Sequence, residues 1–221
     1  MIKKRILSLS LFTAITLPSL AQAAPADDLT SYLGQSVAFK ATYTYTTSDG
    51  KSGSVNLDVT RPANFILTYT TAPDSKTISN GSVVYIETYG GSKNSVTKMS
   101  ATAYPYWDEP YVLFSRNSLS DWSNYNIAEE AYNDGTAIPK LKFTLTPLSN
   151  DNRRVRSFTV IFENKTPFNK NFIYEFTSYY DNGQYIKYHR ATPESRYDGS
   201  NGTEKYNKQD SYYKGWNQTG F

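Results

Sequence analysis

The sequence predicts a mainly β protein, built as a strongly curved antiparallel sheet or barrel with a few short helices. Three observations point there. Apolar residues recur at every second position over much of the chain, the spacing that places them on one face of a strand. Clusters of Gly, Pro, Asn and Asp interrupt those runs at short intervals, as turns between strands require. The runs themselves are rich in Tyr, Phe, Thr and Val, whose shapes suit a pleated, half-buried surface, and the 221 residues include 20 tyrosines and 11 phenylalanines.

The elements follow in chain order. Residues 1–23 read as a secretory signal: Lys3, Lys4 and Arg5 supply charge, residues 6–20 an apolar run, and Ala21-Gln22-Ala23 a small-residue cleavage site. Ser, Thr and Pro18 interrupt that run, which is also too short for a comfortable membrane span. The domain is therefore expected at residues 24–193 of an exported, soluble chain. Leu29, Tyr32, Leu33 and Val37 lie three and four apart behind Asp27 or Asp28 as N-caps, which predicts a short amphipathic helix.

The period then becomes two. Phe39, Ala41, Tyr43 and Tyr45 form one run, Val55, Leu57 and Val59 a second, and Phe65, Leu67 and Tyr69 a third. Turn signals stand at Ser48-Asp49-Gly50, Arg61-Pro62, Ala72-Pro73-Asp74 and Asn80-Gly81, and residues 83–89 continue the series. Residues 91–125 break it: Pro105, Pro110 and the unbroken apolar stretch from Tyr111 predict short helices. Alternation resumes with Leu141, Phe143 and Leu145, then Phe158, Val160 and Phe162, then Phe172, Tyr174 and Phe176. Residues 194–221 contain no aliphatic side chain and are expected to form a mobile tail, or one that packs only in part.

Composition narrows the function. The leader holds three of the 23 basic residues and none of the 20 acidic ones, so the remainder is formally neutral. A neutral chain lacks the footprint of a nucleic-acid or anionic-membrane binder. The one dense basic cluster, Arg153-Arg154-Val155-Arg156, reads as a solvated turn. No cysteine is present, which leaves stability to the core and excludes a lipid-modified cysteine at the cleavage site.

Chemistry is hard to find. His189 is the single histidine, and no motif surrounds it that would make a triad. The paired acids Asp27-Asp28, Asp108-Glu109 and Glu129-Glu130 read as solvated neighbours that point apart, not as a glycosidase pair. Gly90-Gly91 is a turn, and metal-ligand spacing is absent. The expectation is a protein with no catalytic residues, no metal and no cofactor. Two other classes stay open: a secreted hydrolase acting on lipids or glycans, and a structural β domain whose tyrosines are surface packing.

Several separated segments carry a family resemblance. Residues 53–65 end an alternating strand on Arg61-Pro62 with Phe65 following, Ile78-Ser79-Asn80-Gly81 precedes another strand, and residues 116–127 form a third segment. With Asp28-Leu29-Thr30-Ser31-Tyr32-Leu33 and Phe39-Lys40-Ala41-Thr42-Tyr43 they stand in the order found in LolA, and the chain resembles that family over roughly residues 27–180. The family carries lipoproteins through the periplasm of Gram-negative bacteria.

The resemblance implies an incomplete antiparallel β-barrel of about 10–12 strands, closed by short helices. It implies a monomeric periplasmic chaperone that receives acylated lipoproteins from the inner-membrane LolCDE complex and delivers them to a LolB-like acceptor or the outer membrane. Burying a sixteen-carbon chain is worth on the order of 12 kcal/mol at about 0.8 kcal/mol per methylene, so a soluble shuttle needs an apolar cavity. Its expected lining is Phe65, Leu67, Tyr69, Val83, Tyr85, Phe143, Val160 and Phe176, with Val112, Leu113 and Phe114 from a helical lid. Periodicity alone would make the same residues an ordinary core. Arg61 matches the family arginine that bonds lid-helix carbonyls and holds the empty cavity closed, a task suited to five donors on a group that stays charged.

Overall fold

The computed structural model describes residues 24–34, 38–71, 74–115, 122–149, 153–165, 170–192, 195–196 and 204–221. The leader lies outside these, as do Val37, the Ala72-Pro73 part of a predicted turn and residues 116–121. The described elements are α1 (Pro25–Gly34), β1 (Ala38–Thr47), β2 (Ser52–Thr60), β3 (Asn64–Tyr69), β4 (Ser75–Asn80), β5 (Val83–Thr88), β6 (Ser95–Ser100), α2 (Pro110–Ser115), β7 (Tyr125–Tyr132), β8 (Lys140–Pro147), β9 (Val155–Lys165), β10 (Lys170–Tyr180), β11 (Tyr185–Arg190), β12 (Ser195–Arg196) and β13 (Asn217–Thr219), with three short 3₁₀ turns.

Hydrogen bonding orders the strands β13-β6-β5-β4-β3-β2-β1-β11-β10-β9-β8-β7, and β12 pairs with β1 off that path. From β1 to β6 and from β7 to β11 chain neighbours pair as antiparallel hairpins, the most local way to satisfy strand edges. The pairing of β1 with β11, Tyr45 opposite Tyr188, joins the two halves of the chain. The strand order ends at β7 on one side and β13 on the other, so the sheet is open and not closed into a barrel.

One face of this sheet carries the main core. Phe39, Ala41 and Tyr43 of β1, Val55, Leu57 and Val59 of β2, and Phe65 and Leu67 of β3 pack with Phe143, Leu145, Phe158, Val160, Phe162, Phe176 and Tyr188, and both helices sit on the same side. We call this the inner face. Leu29 and Leu33 of α1 are fully buried in it, and Tyr32 meets Phe143 and Phe162 edge-on at 5.7 and 5.4 Å. Helix α1 starts earlier than predicted, because Pro25 takes the first helical position and the Ala24 carbonyl accepts from the N–H groups of Asp27 and Asp28. Both aspartates therefore occupy the first turn, at the positive end of the helix dipole, and are not caps.

Three strands carry no run of alternating apolar residues. β4 places Thr77 and Ser79 among its buried residues, β6 lies inside the segment expected to be helical and offers few apolar residues, and β7 is a half-exposed edge. In β10 a bulge between Ile173 and Glu175 resets the face, so Ile173 and Phe176 are both in the inner core. Phe172 and Tyr174, predicted on the face of Phe176, instead lie near the Arg190 guanidinium. An inserted residue shifts parity by one, which no simple period can anticipate.

The chain end packs. Residues 204–221 run over the outer face, where Tyr206 and Tyr213 are fully buried, and β13 adds parallel to β6. Tyr213 stacks on Tyr85 at 5.3 Å and donates to Glu87 Oε1 at 2.7 Å, while Lys205 pairs with Asp58 at 2.7 Å. Of the two alternatives for the tail, partial packing is therefore the right one for these residues. Tyrosine supplies a large buried ring with a polar handle, and so replaces the aliphatic anchors the segment lacks.

Candidate lid and cavity

Helix α2 opens with Pro110, which has no N–H to leave unsatisfied at a helix start, and turns Tyr111, Leu113 and Phe114 down onto the inner face. Polar groups hold both ends of it. Before its start, Asp108 Oδ2 accepts the backbone N–H groups of Arg154 and Val155 at 2.7 and 2.9 Å. The Glu109 carboxylate accepts from Ser178 Oγ and the Tyr180 hydroxyl of β10, each at 2.7 Å, and the Arg154 guanidinium lies 3.8 Å away. Burial raises the Glu109 carboxyl above its ordinary value, opposed by those hydrogen bonds.

Arg61 holds the other end. Its Nε donates to the Phe114 carbonyl of α2 and its Nη1 to the Leu33 carbonyl of α1, both at 2.8 Å. Ala63, two residues on, donates its N–H to the Ser115 carbonyl. Carbonyls in the last turn of a helix have no intrahelical donor, so one planar cation can serve two helix ends together. Nη2 is buried without a partner, and burial lowers the guanidinium to about 10, where it remains charged at neutral pH.

Most of the predicted cavity residues come together. Phe65, Leu67, Leu113, Phe114, Phe143, Val160 and Phe176 are buried in the inner core, with Tyr69 and Val112 packed against it in partial exposure. Val83 and Tyr85 are not among them: both belong to the outer-face cluster with Ile78, Val96 and Tyr213. Val84 and Ile86 take the inward positions instead. Residues 83–86 are apolar throughout, so two opposite faces fit the sequence equally well, and the packing of the chain end on the outer face decides between them.

Beside α2 lies a pocket of about 380 Å³, lined by Leu67, Tyr69, Thr77, Ile86, Tyr104, Tyr106, Glu109, Tyr111, Arg154, Tyr180, Ile186 and Tyr188, with Ser75. Only two of its residues, Leu67 and Tyr69, stood in the predicted lining. Of the rest, Glu109 and Arg154 stood in segments that read as solvated. Asp108 and Glu109 are 2% and 3% exposed, not solvated neighbours. The basic cluster does lie in the turn between β8 and β9, with Arg154 exposed in a bend before Val155 begins β9, but its arginines also cover aromatic rings: Arg154 lies over Tyr106 at 4.3 Å, and Arg153 over both Trp107 and Tyr125 at 5.1 Å. Acids flanked by Trp107 and Pro110 were the available signal, because aromatic and proline neighbours create the dry surroundings in which a carboxylate must find donors.

The pocket hydroxyls pair with each other: Tyr69 with Tyr188 at 3.0 Å, and Tyr104 with Tyr111 at 3.2 Å. Burial pushes Tyr69 up to about 12 and holds Tyr104, Tyr111 and Tyr188 above their ordinary value, so all four stay protonated. Elsewhere, His189 Nδ1 lies 3.3 Å from Glu175 Oε2 and its ring is edge-on to Tyr174 at 4.7 Å. Among the described residues no group of three His, Cys, Asp or Glu side chains could hold a metal ion.

A family model described as outer membrane lipoprotein carrier protein LolA matches residues 35–188. The outer-membrane lipoprotein carrier protein of Sodalis glossinidius is 28% identical over 164 residues, covering 72% of this chain and 73% of its own. That of Vibrio vulnificus is 28% identical over 131 residues, covering 54% and 61%. Among solved structures, the LolA superfamily protein NE2245 from Nitrosomonas europaea aligns over 84% of this chain and 99% of its own, at 8% identity and a TM-score of 0.42.

Proposed function

Since this chain belongs to the family of outer membrane lipoprotein carrier protein LolA, we propose that it is a periplasmic chaperone that shields lipoprotein acyl chains beneath α1 and α2. The family is one of carriers and not of enzymes, and its members named above carry outer-membrane lipoproteins. The observation that supports the finer reading most is the position of Arg61, one side chain bonded to the end of each helix over an apolar core.

In this reading, the empty protein keeps Phe65, Leu67, Val112, Leu113, Phe114, Phe143, Val160 and Phe176 packed against one another, with Tyr69 at the margin. Incoming acyl chains displace those contacts with contacts of the same kind, and α2 swings out once Arg61 gives up the Phe114 carbonyl. The cost of breaking the latch weakens cargo binding and so helps release, which a shuttle between an inner-membrane LolCDE complex and a LolB-like acceptor requires. The energy input belongs to the transporter, so this chain needs no nucleotide.

The test is transfer between purified partners. A triacylated lipoprotein should co-purify with the chain expressed in a Gram-negative periplasm, and Arg61→Leu should load it yet pass it to the acceptor more slowly than wild type. Failure to recover any lipoprotein would sink the carrier reading, and equal transfer rates for the two proteins would sink the latch.

A further inference from the structure

We propose that the tyrosine-lined pocket beside α2 receives the sugar headgroup of a glycolipid, so that the cargo class includes lipids carrying a neutral polyhydroxylated ring. The inference rests on the carrier reading, because it places the alkyl part of the ligand in the adjoining inner core.

The lining is unlike that of a site for hydrocarbon alone. Six tyrosines, Tyr69, Tyr104, Tyr106, Tyr111, Tyr180 and Tyr188, surround the space together with the Glu109 carboxylate. A bare acyl chain lying there would offer no donor to the remaining lone pairs of the Glu109 carboxylate and no partner to the phenol oxygens. A sugar ring answers both demands. Its C–H faces stack on tyrosine rings, and its hydroxyls trade hydrogen bonds with the phenols and the acid.

The geometry is ready for this exchange. Each Glu109 oxygen accepts one protein hydrogen bond, from Ser178 or Tyr180, and a carboxylate oxygen has a further lone pair to offer a ligand hydroxyl. Tyr106 is 39% exposed and edge-on to Tyr104 at 5.4 Å, which leaves part of its ring open to a ligand at the entrance. Arg154, over Tyr106 at 4.3 Å, supplies donors at the same entrance. A phosphate headgroup fits less well, because the one cation of the lining faces a buried carboxylate 3.8 Å away.

A volume of about 380 Å³ lies near the lower end of ligand pockets, enough for a headgroup and not for a whole lipid. The hydrocarbon continues inward, where Tyr111 meets Phe65 at 5.6 Å and the inner core begins.

Calorimetric titration of the whole protein with octyl glucoside below its micelle concentration, octan-1-ol, octyl phosphate and free glucose tests this. Octyl glucoside should bind about tenfold more tightly than octanol, and Tyr106→Ala, at an exposed position, should cancel that margin while leaving octanol affinity unchanged. Glu109→Gln should reduce the same margin, provided its circular dichroism matches wild type. Equal affinity for octanol and octyl glucoside, or tighter binding of octyl phosphate, overturns the proposal and leaves the carrier reading standing. Glucose binding as tightly as octyl glucoside means a free-sugar site and overturns the proposal, and so does a failure of octyl glucoside to bind; the carrier reading falls only if no lipoprotein is recovered with the protein.

Discussion

Arg61→Leu removes two hydrogen bonds from a charged donor, to Phe114 and to Leu33, each of 2.8 Å. Bonds of that kind contribute about 1.5–3 kcal/mol each, a gross loss of roughly 3–6 kcal/mol from the closed lid. Much is returned, because the guanidinium no longer has to be buried. Burial lowers its pKa to about 10, which puts that cost on the order of 3 kcal/mol, and the unpartnered Nη2 disappears with it. What remains is the penalty for two helix-end carbonyls deprived of this donor, and the net change against closure is about 2 kcal/mol, or roughly thirtyfold in the opening equilibrium. Hydrogen exchange read by mass spectrometry over residues 110–115 measures it directly, since the Val112 and Leu113 amides are bonded to the Glu109 carbonyl only while α2 is formed. Protection there should fall roughly thirtyfold, and the unfolding free energy of the whole protein in urea should fall by the same amount of about 2 kcal/mol, because both are measured from the closed form. If protection changes less than about threefold, or if residues 110–115 of the unaltered protein are as strongly protected as β1 to β3, the lid is not a separately latched unit and the reasoning fails.

Other perturbations address the remaining parts. Tyr213→Ala should cost about 3–5 kcal/mol and free the chain end to a protease, whereas Tyr213→Phe should cost only about 1–3 kcal/mol through its bond to buried Glu87; an uncleaved Tyr213→Ala protein would show that the segment is held by something else. Phe176→Ala, whose ring lies against Tyr188 at 4.5 Å and Phe114 at 5.4 Å, should lower unfolding stability by about 3–5 kcal/mol in urea, and a loss under 1 kcal/mol would mean the inner core is already loose there. Glu109 binds its proton more tightly in the folded chain than at its ordinary 4.5, so the stability it adds is full below that value and declines as pH rises through its raised folded value. Glu109→Gln should accordingly flatten stability against pH above about 4.5, and an unchanged slope would show that another group causes it.

The strands most legible in the sequence were those with one wet and one dry side. β1, β2 and β8 alternate cleanly because their outer residues are polar and their inner ones apolar. β5 did not, since both of its sides are covered, and its side chains could be assigned to faces only once residues 204–221 were seen on the outer one. The bulge in β10 moved Ile173 inward for a related reason: its parity is set by pairing with β9, outside its own stretch of chain. The Arg61 contacts had a legible owner, because a strand-ending arginine before a proline is visible in the chain, but its two acceptors come from helices 28 and 53 residues away.

The sequence alone settled what local physics can settle: the β class, the helix at residues 25–34 within a few positions, a short helix over the apolar stretch from Tyr111, and the apolar side of most strands. Those follow from steric preference and from a hydrophobic period repeated within a dozen residues. Tertiary structure alone decided that the sheet stays open, that Asp108 and Glu109 are dry, and that tyrosines from β3, β10, β11 and the segment before α2 meet around one pocket. Burial of a polar group is a property of what arrives from elsewhere in the chain, and no local pattern contains it.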